Sequence, residues 1–244
     1  MKILKGKGAS AQIAFGKLIF ASKEKNVKRY KVAEVKSEVL KYKNAVNTAI
    51  DEISALYDKA LVEVGETNAE IFNMHKVMLS DEDFSDSVIN IIESQEVNAE
   101  FAVALTGENF ANMFRAMDDA YMKERSRDVQ DISERLIRIL SGETDAFEEI
   151  KEPSIVAAED LTPSETVKMD KSKVMGIVTK KGSLNSHTAI LARSMGIPAI
   201  VNVEELNEKL SGKYVIVDGF KGELYVEPDD EAVNKYLELK EEQR

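Results

Sequence analysis

Two histidines and no cysteine set the limits of nucleophilic chemistry in this 244-residue chain. Without thiols there is no disulfide, thiolate zinc site or cysteine nucleophile. Two imidazoles, His75 and His187, are too few for most metal or protease centres, so no metal site is expected. His187 stands in Gly182-Ser183-Leu184-Asn185-Ser186-His187-Thr188-Ala189-Ile190-Leu191-Ala192-Arg193-Ser194-Met195-Gly196-Ile197-Pro198. A cap residue at Asn185 or Ser186, an apolar centre and a Gly-x-Pro stop predict a short helix from about Ser186 to Gly196. The imidazole then occupies the first turn, where unpaired amides and the positive end of the helix dipole favour a bound anion. The dipole contributes roughly 0.3–1 kcal/mol, and direct N–H contacts add to it. A neutral imidazole attacks phosphorus through its free nitrogen, so the same position suits both the bare ring and a ring carrying a phosphoryl group. Position alone equally fits an ordinary surface or capping histidine.

Ser186 and Thr188 flank the imidazole and are phosphate-contact candidates, although helix capping accounts for Ser186 as well. Arg193, six residues on, either reaches a phosphate or pairs with the C-terminal end of the helix dipole. Asp81-Glu82-Asp83, with Glu66 and Glu70 upstream, forms an acidic cluster that attracts a basic partner. A solvated helix N-terminus gives the same pattern. Leu79 and Arg125 are candidates for an apolar anchor and a charge beside it. Asp81-x-Asp83 is no calcium loop, because Asp86 and Ile92 stand where glycine and the bidentate glutamate belong. Gly6-Lys7-Gly8 lacks the long strand before it and the helix after it that a dinucleotide site needs.

The elements that position these residues differ along the chain. Lys and Arg number 33 against 44 Asp and Glu, a net charge of −11 that disfavours nucleic acid. Residues 34–142 carry an apolar stripe at three- and four-residue spacing (Ala49, Ile50, Ile53, Leu56, Tyr57, Ala60, Leu61, Val64). Shorter series follow at Ile71 to Met78, Val88 to Ile92, Phe110 to Tyr121 and Val129 to Ile139, predicting a helical bundle. All four prolines fall after residue 150. There, short β-branched runs at 154–156, 174–178, 199–203, 214–217 and 223–226, with a hairpin turn at 217–222, predict an α/β domain. The first twenty residues share that strand-and-turn character. We therefore expect a discontinuous α/β domain, residues 1–33 and 143–229, with an all-α bundle inserted at 34–142 and a charged linker helix at 230–244. No signal peptide and no run of 18 apolar residues is found, so a cytoplasmic chain without membrane insertion is expected.

Residues 182–201, GSLNSHTAILARSMGIPAIV, closely resemble the phosphohistidine segment shared by enzyme I of the phosphoenolpyruvate:sugar phosphotransferase system, phosphoenolpyruvate synthase and pyruvate phosphate dikinase. GKGASAQIAFGKLIF at the N-terminus, YMKERSRDVQDISERL at 121–136 and EDLTPSETV at 159–167 select enzyme I, and the resemblance spans essentially the whole chain. It implies a swivelling α/β phosphohistidine domain with an inserted helical domain that docks the phosphocarrier HPr. The activity implied is a phosphoenolpyruvate-protein phosphotransferase in sugar uptake, with His187 accepting a phosphoryl group and passing it to a histidine of HPr. The resemblance places Thr166 as a hydrogen-bond partner of His187 and His75 on the HPr-facing surface. It departs from the family at Ser183-Leu184-Asn185, where Gly-Arg-Thr is usual, so a local hydroxyl and a positive charge are missing. The family's phosphoenolpyruvate site, Mg²⁺ ligands and dimer interface lie in a C-terminal barrel. The chain ends at Arg244, so no cofactor, a monomer, and exchange with phospho-HPr alone are expected of this half. Rival readings are a fragment of a dikinase or synthase and a non-catalytic acidic docking module.

Overall fold

The computed structural model describes residues 1–22, 26–144, 147–148 and 150–243. Strands β1 (Lys2–Lys5), β2 (Lys7–Ser10) and β3 (Ile13–Ala21) come first. Helices α1 (Val35–Val64), α2 (Glu66–Leu79), α3 (Glu82–Gln95), α4 (Ala99–Arg115) and α5 (Ala120–Ser141) follow. The chain continues through β4 (Ser154–Ala158), α6 (Pro163–Lys168), β5 (Val174–Thr179), α7 (His187–Met195), β6 (Ala199–Val201), a 3-10 turn at Glu208–Leu210, β7 (Tyr214–Asp218), β8 (Glu223–Val226) and α8 (Asp230–Glu242). Two compact units result, Met1–Lys23 with Ala146–Arg244, and Glu24–Asp145.

In the first unit all eight strands form one mixed sheet, β1-β8-β7-β3-β4-β5-β6-β2. The β3, β4, β5 and β6 neighbours run parallel, and the remaining pairings are antiparallel. β1 and β2 are the two edges yet are separated in sequence by Gly6 alone, so the sheet curls until its edges meet. Gly6 N donates to Gly222 O at 2.8 Å, and a Cβ on Gly8 would stand 2.0 Å from Gly219 O, a crossing that excludes any side chain. Alternation places Leu4, Ala14, Leu18, Ile155, Ala157, Val215, Val217 and Leu224 on the inner face of the curl. All five residues of β4 are buried, as a parallel central strand covered on both faces requires. Ile13, Ile216 and Tyr225 face outward, where Tyr236 of α8 covers them.

The helix expected at 230–244 is present as α8, and it packs on this unit through Tyr236, Val233 and Leu239; residue 244 lies outside the described residues. Tyr236 is 1% exposed, and its hydroxyl donates to Asp218 Oδ2 at 2.8 Å. The other oxygen of Asp218 accepts from Phe220 N and Lys221 N, so one carboxylate holds both the hairpin turn and α8. Burial pushes the Tyr236 phenol far above its ordinary range, and its hydrogen bonds to Tyr225 and Asp218 act in the same direction.

In the helical unit, the buried stripe of α1 (Tyr42, Ala45, Ala49, Ile53, Leu56, Ala60) follows the predicted period. Asp81 caps α3 by accepting from Phe84 N, and Asp119 caps α5 by accepting from Tyr121 N and Met122 N. The Asp119 cap divides the series Phe110 to Tyr121, expected as one helix, between the end of α4 and the start of α5. Residues 28–32 also belong here rather than with the strands. Tyr30 N donates to Asn98 Oδ1, Asn98 Nδ2 donates to Lys28 O, and Val32 N donates to Glu96 O. One buried asparagine at the start of α4 thus ties residues 28–30 to the helical unit, ahead of the boundary expected at residue 34.

Candidate functional site

His187 is the first residue of α7 and is exposed. Its N-cap is Ser186, whose Oγ accepts from Ala189 N at 3.2 Å and donates to Ser183 O at 2.8 Å. Ser186 N also donates to Ser183 O, closing the loop that leads into the helix. Gly182 opens that loop at φ +110°, a conformation that disfavours any residue with a Cβ. Among the described residues, nothing hydrogen-bonds the His187 ring, and no acceptor meets the backbone N–H of His187 or Thr188. The result is an accessible imidazole beside two orphan amides at a helix N-terminus, a geometry that accepts an anion on the ring.

The hydroxyls expected to serve the ring or its phosphoryl group are engaged elsewhere. Thr188 is buried and donates to Leu161 O at 2.8 Å, stitching α7 to the segment that begins α6. Thr166 is 0% exposed and donates to Thr162 O at 3.0 Å within its own helix. No hydrogen bond joins it to His187, so the orientation expected of Thr166 is not made in this conformation. α6 itself is set by a capping box, with Thr162 Oγ1 accepting from Glu165 N and the Glu165 carboxylate accepting from Thr162 N. The Ser186 proton is used within the loop. Arg193, a candidate for phosphate contact or for pairing with the helix dipole, donates to Leu184 O at 3.1 Å and Ala9 O at 3.4 Å.

The helical unit separates its candidates sharply. Glu66, Glu70, Asp81, Glu82 and Asp83 are exposed, although Asp81 spends one carboxylate oxygen on the α3 cap. Arg125 is half-buried, lies 4.8 Å over the Tyr121 ring and donates to its hydroxyl at 2.5 Å. Leu79 is 1% exposed and His75 0%, so neither is a docking contact in this conformation. His75 is a core residue: Nε2 lies 3.1 Å from Asp128 Oδ1 and Nδ1 lies 3.9 Å from Asp131 Oδ2, both carboxylates buried. The apolar neighbours of His75 on α2 signalled burial, but its acidic partners sit on α5, 53 and 56 positions along the chain. Asp128 and Asp131, three apart and interleaved with the buried Val129 and Ile132, were the readable sign of a polar pair on an inward face. Exposed apolar side chains stand instead at Val77, Met113, Met117 and Tyr121.

Among the described residues, no group of three or more His, Asp or Glu is arranged to hold a metal ion, and no helix is long and apolar enough to cross a membrane.

Comparison with known proteins bears on both units. The family model for the N-terminal part of phosphoenolpyruvate-utilising enzymes matches residues 5–125, and that for their mobile domain matches residues 150–222. The phosphoenolpyruvate-protein phosphotransferase of Bacillus subtilis (strain 168) is 37% identical over 241 residues, covering 98% of this chain and 42% of that protein. The chain thus spans less than half the length of the curated relatives it matches. A solution structure of an enzyme I protein (nEIt) has a TM-score of 0.77 at 38% identity, covering 98% of this chain and 99% of that one. The N-terminal domain of a nitrogen-type enzyme 1 shares the fold, with a TM-score of 0.67 at 24% identity and 97% and 98% of the two chains covered.

Proposed function

Because the chain belongs to the phosphoenolpyruvate-utilising enzyme family, in its enzyme I group, we propose that it carries a phosphoryl group on His187 and hands it to a histidine of the phosphocarrier HPr. The observation that carries this reading is the exposed, unpartnered His187 ring at the start of α7, next to the open amides of His187 and Thr188. In the exchange with phospho-HPr, a neutral ring nitrogen attacks phosphorus in line. The new N–P bond forms as the carrier's N–P bond breaks, and the departing imidazole takes the electron pair. Both ends are imidazoles, so the step is nearly thermoneutral and placement governs its rate. The α7 amides stabilise the phosphoryl oxygens in the acceptor state.

In the whole protein the phosphoryl group would originate on phosphoenolpyruvate, bound by a C-terminal domain in the length the relatives have beyond this chain. We assign Mg²⁺ to that domain. Among the described residues, no group of three or more His, Asp or Glu is arranged to hold it. HPr is assigned to the helical unit, where Glu66, Glu70, Glu82 and Asp83 are exposed and would attract a basic carrier. We place the reaction in the cytoplasm, on the bacterial phosphotransferase route to sugar uptake.

Incubation with phospho-HPr tests the reading. Intact-mass measurement should show one acid-labile phosphoryl group on the wild type and none on His187→Ala. Equal labelling of the two would reject it.

A further inference from the structure

Arg193 sits two residues before the end of α7, about 9 Å along the axis from His187 at 1.5 Å per residue. Side chains on a helix lean toward its N-terminus, so an arginine there reaches back along the helix toward the loop that precedes it. Its fork ends on two carbonyls: Nη2 donates to Leu184 O in the His187 loop, and Nη1 donates to Ala9 O in β2. β2 is an edge strand held on β6 by three register pairs, and β6 follows α7 directly. Loop 182–186 otherwise relies on short-range bonds to Ser183 O. Leu184 is the exposed tip of that loop, at 38%.

We propose that Arg193 is a positioning residue for transfer at His187, its guanidinium bracing the Leu184 carbonyl against β2 and so fixing where the ring stands. This rests on the reading of His187 given above. Two carbonyls in fixed directions need the planar fork, and a lysine at the same place keeps the charge but offers a single point donor. A phosphate-contact role would instead need mainly the charge.

The test compares wild type, Arg193→Lys and Arg193→Gln in the full chain by two measurements. The first is hydrogen exchange of the Ser186 amide, which reports loop order independently of any chemistry. The second is the rate of phosphoryl transfer from phospho-HPr as a function of its concentration. Bracing predicts faster Ser186 exchange in both variants and a kcat lower by roughly ten- to a hundredfold with KM kept. Lysine should rescue neither. Unchanged exchange, or faster exchange with wild-type kcat, or recovery of kcat by lysine would overturn the proposal. If wild type takes no phosphoryl group, the function proposed for His187 fails, and Ser186 exchange still decides whether the brace exists.

Discussion

His187 and His75 have the same side chain and opposite situations. One ring is exposed with no partner among the described residues; the other is enclosed between Asp128 and Asp131. Removing His75 leaves the buried Asp128 carboxylate without this hydrogen-bond partner, so His75→Ala should destabilise the helical unit by about 1–3 kcal/mol. Urea unfolding followed by circular dichroism reads this directly, and a loss below about 1 kcal/mol would place His75 outside the core it occupies here. The sequence showed that His187 opens a helix, because Ser186, the apolar run and Gly196 are local signals. It did not show that Thr166 and Thr188 spend their protons on Thr162 O and Leu161 O, since those bonds depend on how α6 meets α7. The Arg193 bonds were hidden for the same reason, with Ala9 lying 184 positions away.

At the scale of elements, two substitutions test the capping and packing accounts. Asp119 satisfies two amides at the start of α5, so Asp119→Ala should cost about 1 kcal/mol, read as a lower urea midpoint with an unchanged slope. α8 is held through Tyr236, whose phenol titrates at higher pH in the folded chain than in the unfolded one. Its stabilising contribution is complete below the unfolded value, about pH 10, and is lost as pH rises toward the folded value. Tyr236→Phe should therefore lower stability at neutral pH and flatten the alkaline loss above pH about 10; parallel wild-type and variant curves would contradict the assignment. Strands 174–178 and 223–226 were legible from β-branched runs between turn residues. α8 was legible as a helix but its packing was not, because that packing rests on Val233, Tyr236 and Leu239 amid charged neighbours, a stripe too sparse to distinguish from a linker.

Across the molecule, Tyr42, Ile53, Phe72, Val88 and Ile132 form buried core of the helical unit, and Leu18, Ile155, Val178 and Val217 form buried core of the α/β unit. Unfolding should accordingly proceed in two steps, with His75→Ala shifting one and leaving the other in place. A single transition displaced as a whole would contradict separate cores. The helical stripe of residues 34–142 and the prolines beyond residue 150 revealed the insertion with its start expected at 34, whereas Asn98 ties residues 28–30 to the helices. A long-range hydrogen bond of that kind leaves no local pattern. The excess of acid over base in residues 34–142 gives a further expectation: charge reversal at Glu82 and Asp83 should weaken association with HPr and flatten its salt dependence. Unaltered affinity across salt would move docking to another face.

The central claim concerns which ring bears phosphate. After brief incubation with phospho-HPr, peptide mapping under alkaline conditions should place the phosphoryl group on the peptide containing His187 and leave the His75 peptide unmodified. Phosphate on His75, or on neither histidine while the carrier is discharged into this chain, would contradict it.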